Sequence, residues 1–295
     1  MKWPMPMVSN IITTPDRMKR PTVPAVLRTS FAASGDASVV TEKYHTAPIK
    51  IAKTFQLDKQ LGVIVMDVSP GMMDGDRYEM SWHAGRGSSV YLTNQSYTKV
   101  HPCSADGKAT MRQRFVLEEN AWVESMMEPV MLYKDAGFRN DTDVQLSEGS
   151  VWMQLEVLCP GRTLRGEKFL YRELDNRLRI HYGEELIFSQ RQWIVPSGQQ
   201  LFEPGAWGDR SHLGSFYCFS DAIGSHHVAA VREVLEILPE RTGRPVISGV
   251  TLTRKHGLAV MAAGHTAWQL TETLRAAWDV MRRELKQLPP LQFRK

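Results

Sequence analysis

Between Ser38 and about Ile194, apolar side chains return at every second position. Tyr78, Met80 and Trp82 alternate with Arg77, Glu79, Ser81 and His83, and Ile49, Ile51 and Phe55 alternate with Lys50, Ala52 and Thr54. A period of two sends successive side chains to opposite faces of an extended chain, so these segments read as half-buried strands with one wet face. Residues 63–68 are apolar on both faces, as in a strand covered on both sides. Further strands are predicted over 88–93, 111–117, 121–126, 151–158, 168–174, 177–182 and 185–195. Pro70-Gly71, Asp106-Gly107, Glu148-Gly149 and Tyr182-Gly183 supply turns between them. Many short strands separated by such turns predict an all-β sandwich, barrel or stacked sheet.

The last third changes period. Val228, Val231, Leu235 and Leu238 share one helical face within 227–238, and Ala267, Leu270, Leu274, Ala277, Trp278, Met281 and Leu285 keep the helical spacing. Thr266 is placed to cap the second helix, and Pro289-Pro290 to stop it. Residues 246–252 and 258–262 are predicted strands packed against this helix pair. The pattern divides the chain into a flexible leader, residues 1–25, and a single β-rich domain, residues 26–295.

Composition narrows the function classes. With 36 Lys+Arg against 32 Asp+Glu the formal charge is only +4, spread along the chain, which gives no footprint for nucleic acid. Cys103, Cys159 and Cys218 are too few and too far apart for a disulfide framework. The leader carries Lys2, Asp16, Arg17, Lys19 and Arg20 but no apolar core of a secretory signal, and no apolar run is long enough to span a membrane. The expectation is a cytoplasmic protein with free thiols.

Catalytic motifs are missing from the sequence. It contains no GxSxG, no GxxxxGK[ST] and no HExxH, Gly85-Arg86-Gly87 lacks the third glycine of a dinucleotide loop, and Asp141-Thr142-Asp143 lacks the Gly and Glu of a calcium loop. Several polar candidates stand out all the same. Asp76, in Asp74-Gly75-Asp76-Arg77, either aims into a cavity or forms a turn with its own backbone, the commoner role beside glycine. Thr98-Lys99 follows a turn region, where a lysine usually points to solvent. His101 and Cys103 are two apart and would share one face of an extended segment, a weak pair of ligands for a borderline cation such as Ni²⁺.

Glu156 interrupts the most apolar run of the chain, 151–159. A carboxylate there costs several kcal/mol of desolvation unless it is paired or wet. Either Arg162 or Arg165 pairs with it, or it faces a water-filled space. Glu167, beside Arg165-Gly166, poses the same question more weakly.

Taken in order, these pieces resemble the urease accessory protein D family, UreD, also called UreH. The resemblance rests on Leu27-Arg28-Thr29-Ser30-Phe31, Ser69-Pro70-Gly71-Met72-Met73-Asp74-Gly75-Asp76, Tyr97-Thr98-Lys99 and Ala121-Trp122-Val123-Glu124-Ser125-Met126-Met127-Glu128. It continues through Leu158-Cys159-Pro160-Gly161-Arg162, Arg165-Gly166-Glu167-Lys168-Phe169 and Asn176-Arg177-Leu178. Asp74 stands where the family has a glycine, His101-Pro102 where it has Tyr-Arg, and Gln190 where an acidic residue is usual.

The resemblance implies a mainly β fold, a two-layer β-helix-like stack of sheets with a pair of α-helices near the C-terminus. It implies a non-enzymatic scaffold that binds the urease apoprotein, docks UreF and, through it, the GTPase UreG, and holds no tight cofactor while Ni²⁺ passes transiently through an internal tunnel. Asp76, Thr98, Lys99, Glu156 and Glu167 fall on the motif positions implied for that path. Two other classes fit the residues alone: a hydrolase using Asp76 with Glu156 or Glu167 as acid and base, and a plain β-rich binding module.

Overall fold

The computed structural model describes residues 23–203, 206–242, 246–291 and 293, so the predicted leader lies almost wholly outside the described residues. The described strands are β1 (Ala25–Ser34), β2 (Ala37–His45), β3 (Ile49–Leu57), β4 (Gln60–Asp67), β5 (Arg77–Ala84), β6 (Ser89–Asn94), β7 (Thr98–Val100), β8 (Ala109–Leu117) and β9 (Trp122–Met126). They continue as β10 (Val130–Leu132), β11 (Gly137–Leu146), β12 (Val151–Cys159), β13 (Glu173–Tyr182), β14 (Glu185–Ile194), β15 (His212–Phe219), β16 (Ile247–Leu252) and β17 (Gly257–Gly264). Two helices, α1 (Ser225–Thr242) and α2 (Ala267–Lys286), complete the set.

From β4 onward the chain crosses repeatedly between two sheets. β5, β8, β11 and β13 pair in parallel in a seven-stranded sheet, and β4, β6, β9 and β12 pair in parallel in a ten-stranded one. Parallel neighbours need a crossover connection. Here the crossover is a strand of the opposite sheet, so each return makes one coil of a β-solenoid. The stacked-sheet expectation is thus met. β7 and β10 add a short third wall, joined in parallel to each other, with β10 also pairing in parallel with β12. Antiparallel strands end each sheet: β2 and β14 on the first, β3 and the run β15-β17-β16 on the second.

Parallel pairing stacks the coils level by level. One level of the first sheet runs Trp82, Phe115, Val144, Ile180, and another runs Tyr78, Met111, Asn140, Asn176, Gln192. The first level is dry: Phe115 stacks on Trp82 at 6.3 Å and meets Trp152 of the opposite sheet edge-on at 5.8 Å. The second turns polar after two coils. Position along the strand therefore decides whether the interior is apolar and packed or polar and open.

Corners are tight where successive coils touch. At Gly71, φ is +136° and a Cβ would lie 2.6 Å from the Lys99 carbonyl; at Gly161, φ is +135° and a Cβ would lie 2.4 Å from that of Glu167. Neither site accepts a larger residue without moving backbone.

The helices cover the outer face of the ten-stranded sheet, α2 lying on β12, β15 and β17 and α1 on α2 and β16. Thr266 caps α2, its hydroxyl accepting from the Gln269 N–H at 3.3 Å. The helix ends on Gln287 in the left-handed region (φ 52°), just before the two prolines.

Three sequence expectations need correction. Residues 168–172 are not a strand: they follow a 3-10 turn at Thr163–Arg165, and β13 begins at Glu173 and runs unbroken to Tyr182, merging two predicted strands. Phe169 and Tyr171 are buried as loop anchors, which imitates strand alternation. β11 and β15 were not anticipated. In β11 the inward positions include Asn140 and Thr142, so its alternation is hidden, and β15 is buried on both faces.

A polar cavity as candidate functional site

Inside the coil, on the level of Asn140, the packing opens into a cavity of about 100 Å³. That is room for several water molecules. Tyr78, Met111, Gln113, Phe138 and Asn140 of the seven-stranded sheet form one side, and Gln154 and Glu156 of β12 face them. The rim is made by the corners: Asp67 to Gly71, Asn94 to Lys99, and Met127 to Val130 with their neighbours.

Glu156 reaches this space because β12 alternates. Met153, Leu155 and Val157 pack toward the helices, which turns Gln154 and Glu156 inward. Asn176 of β13 donates from Nδ2 to both carboxylate oxygens, at 2.9 and 3.0 Å. Burial pushes the Glu156 carboxyl above the usual carboxylate range, and the Asn176 hydrogen bond acts against that push. Enclosed as it is, the side chain keeps some accessible surface, as expected of a group with a cavity in front of it. Gln113 Oε1 and Asn140 Oδ1, both on buried residues, have no hydrogen-bond partner among the described residues.

At the rim, Asp67 is held by Ser69, whose N–H and hydroxyl donate to Oδ1 at 2.8 and 2.6 Å, and by the Tyr78 hydroxyl at 2.9 Å on Oδ2. Gly71 lets its loop lie against β7, with the Met72 N–H donating to the Lys99 carbonyl at 2.8 Å. Thr98 and Lys99 are thereby fixed on the rim.

The sequence-predicted residues separate into two groups. Thr98, Lys99 and Glu156 line the cavity, whereas Asp76 and Glu167 lie off it. Asp76 accepts the Met73 N–H at 2.7 Å and so closes its own turn. Glu167 takes the cation expected for Glu156. Arg162 binds it through Nε at 2.8 Å and a second nitrogen, holding the Glu167 carboxyl below its ordinary range, with Arg165 adding a weaker pull. Neither Arg162 nor Arg165 is the partner of Glu156; Asn176 is. The acid–base grouping of Asp76, Glu156 and Glu167 is not brought together in this cavity.

His101 and Cys103 face different partners. The imidazole lies 3.2 Å from the Pro70 carbonyl and edge-on to Tyr133 at 4.9 Å, while the Cys103 thiol points to the carbonyls of His101 and Gly137 at 3.5 and 3.6 Å. Among the described residues no three His, Cys, Asp or Glu side chains gather at a spacing that would hold a metal. Asp74, at the position where the resemblance expects glycine, stitches two corners together, accepting from the Ser104 N–H and hydroxyl at 3.1 and 2.6 Å. Gln190, where an acid was expected, accepts from the Tyr217 hydroxyl.

Sequence reasoning missed the amides. Asn140, Asn176 and Gln192 come from three adjacent strands and meet only through parallel stacking, so no local spacing marks them. The one available signal was polar residues at inward positions of otherwise alternating segments.

These features define a β-solenoid scaffold, backed by two helices, with a polar chamber inside. The UreD urease accessory protein family model matches residues 23–295. Among relatives, the chain is 29% identical over 250 residues to urease accessory protein UreD of Acetivibrio thermocellus, covering 84% of this chain and 93% of that one. It is 26% identical over 274 residues to urease accessory protein UreD of Haloarcula marismortui, covering 92% and 90%, and 29% identical over 197 residues to urease accessory protein UreH of Helicobacter hepaticus, covering 67% and 77%. The chain belongs to the UreD urease accessory protein family.

Proposed function

We propose that this protein acts in urease maturation as a scaffold that turns over nothing itself: it binds the urease apoprotein and UreF, and through UreF the GTPase UreG, and it lets Ni²⁺ pass through the polar cavity toward the nascent urease site. Membership of the family supports the accessory role. The observation that carries the transit reading is Glu156, a carboxylate facing a hydratable space and held by an amide rather than by a cation.

A path for a dication has to attract it without trapping it. A lone carboxylate among amide and hydroxyl oxygens attracts Ni²⁺, while a full set of imidazole and thiolate ligands would hold it. The thiols of Cys159 and Cys218 are packed on the helix side of the sheet, and burial pushes that of Cys159 up to about 12, which leaves it protonated and a poor ligand. Co-expression with urease tests the role. Urease made with this protein should carry nickel and be active, and urease made with the Glu156→Gln variant should carry several-fold less. Equal nickel content and activity with and without the protein would remove the accessory role, and full loading by Glu156→Gln would remove Glu156 from the path.

A further inference from the structure

Asn176 meets three other side chains beside the cavity. Its Nδ2 donates to both oxygens of Glu156 and, at 3.1 Å, to Gln192 Oε1, while its Oδ1 accepts from Asn140 Nδ2 at 3.0 Å. The four side chains come from β11, β12, β13 and β14, so the two sheets are tied across the interior at this level. Against an ionised Glu156 the amide stands with its nitrogen toward the carboxylate. Reversed, its oxygen would face a carboxylate and the Gln192 oxygen, and its nitrogen would meet the Asn140 N–H.

We propose that Asn176 is a positioning residue for Glu156: it clasps both carboxylate oxygens and fixes the plane in which they meet the cavity, with Asn140 and Gln192 holding the amide in place. The inference deepens the transit reading and rests on it for its purpose, though not for its test. A purely space-filling Asn176 would leave the properties of Glu156 unchanged when replaced by a side chain of equal size. A clasping one would not, since an N–H donated to a carboxylate favours the ionised form. Tyr217 of β15 also faces Glu156, its hydroxyl engaged with Gln190, and Asp67, Tyr78, Tyr97, Lys99 and Glu128 are the titratable side chains that line the same cavity.

The test is a pH titration of the Glu156 carboxyl by infrared difference spectroscopy on the full chain, its band identified by its loss in Glu156→Gln. In Asn176→Leu the midpoint should move to higher pH by about 1–2 units, the worth of a hydrogen bond to a charged group. Asn176→Asp is the second variant. It keeps the size and the acceptor for Asn140 but sets two carboxyls side by side, and the Glu156 band should then titrate in two coupled steps. An unmoved midpoint in Asn176→Leu, or, should that variant not fold, a single unshifted step in Asn176→Asp, overturns the proposal. No urease is needed, so the result stands or falls apart from the nickel reading.

Discussion

Glu124 and Glu156 sit on neighbouring strands of the same sheet and face opposite ways. Glu124 of β9 points to the helices and has no accessible surface; Arg282 of α2 binds it through Nη1, and the Trp122 indole donates to it at 2.7 Å. Arg282 also donates to Gln60 Oε1 and to the Pro289 carbonyl, each at 3.2 Å, so a single guanidinium fastens α2 to the solenoid. Glu156 points the other way and is met by an amide and a cavity. A carboxylate inside a fold can be neutralised by a fixed cation or left partly wet. The first choice fastens structure, and the second leaves a charge free to act on something that enters.

The largest effect that would test this contrast is at Glu124. Glu124→Ala strands Arg282 in an apolar interface and should destabilise the protein by about 3–5 kcal/mol in urea unfolding, since breaking a buried pair leaves an uncompensated charge. A loss below about 1 kcal/mol would show that the pair is not what holds the helix. Thr266→Ala loosens the start of the same helix and should cost about 1 kcal/mol by the same measurement. Glu156→Gln should be the mildest at neutral pH, within about 1 kcal/mol of the unmodified protein, because Asn176 can still donate to the remaining carbonyl oxygen.

The pH dependence sharpens the comparison. Because burial raises the native titration of Glu156, the folded protein keeps that proton at pH values where the unfolded chain has already lost it. Stability from this group is therefore complete below the ordinary carboxylate range and declines as pH rises through the raised native value. Glu156→Gln lacks the decline, so its stability relative to the unmodified protein should improve from pH 4 toward neutrality, following the scale of about 4.3 for an unperturbed glutamate. A difference independent of pH would mean that Glu156 titrates as if in water.

Much of the fold was legible because its strands alternate. Tyr78, Met80 and Trp82 announce a core face as plainly as Ala267, Leu270 and Leu274 announce a helix face. Glu156 was legible as well, a charge in an apolar run having few explanations. Its partner was not. Arg162 is the nearer cation along the chain, but the corner at Gly161 and Gly166 folds it back on Glu167, and the true partner waits 20 residues away in the next coil. Arg282 lies 158 residues from Glu124, a separation no local pattern spans. β11 escaped notice for a related reason: Asn140, which lines the cavity, and buried Thr142 occupy its inward positions, and polar inward residues read as loop.

The stacking of coils at fixed levels dictates where this molecule can change length. One extra residue within β8 would exchange its two faces, driving Arg112 and Arg114 into the chamber and Phe115 out to solvent. The same residue added at an outer corner, away from Gly71 and Gly161, would only enlarge a bend. Insertions should survive at the bends and be purged from the rungs, which makes the ladder itself the ruler by which the chamber keeps its shape.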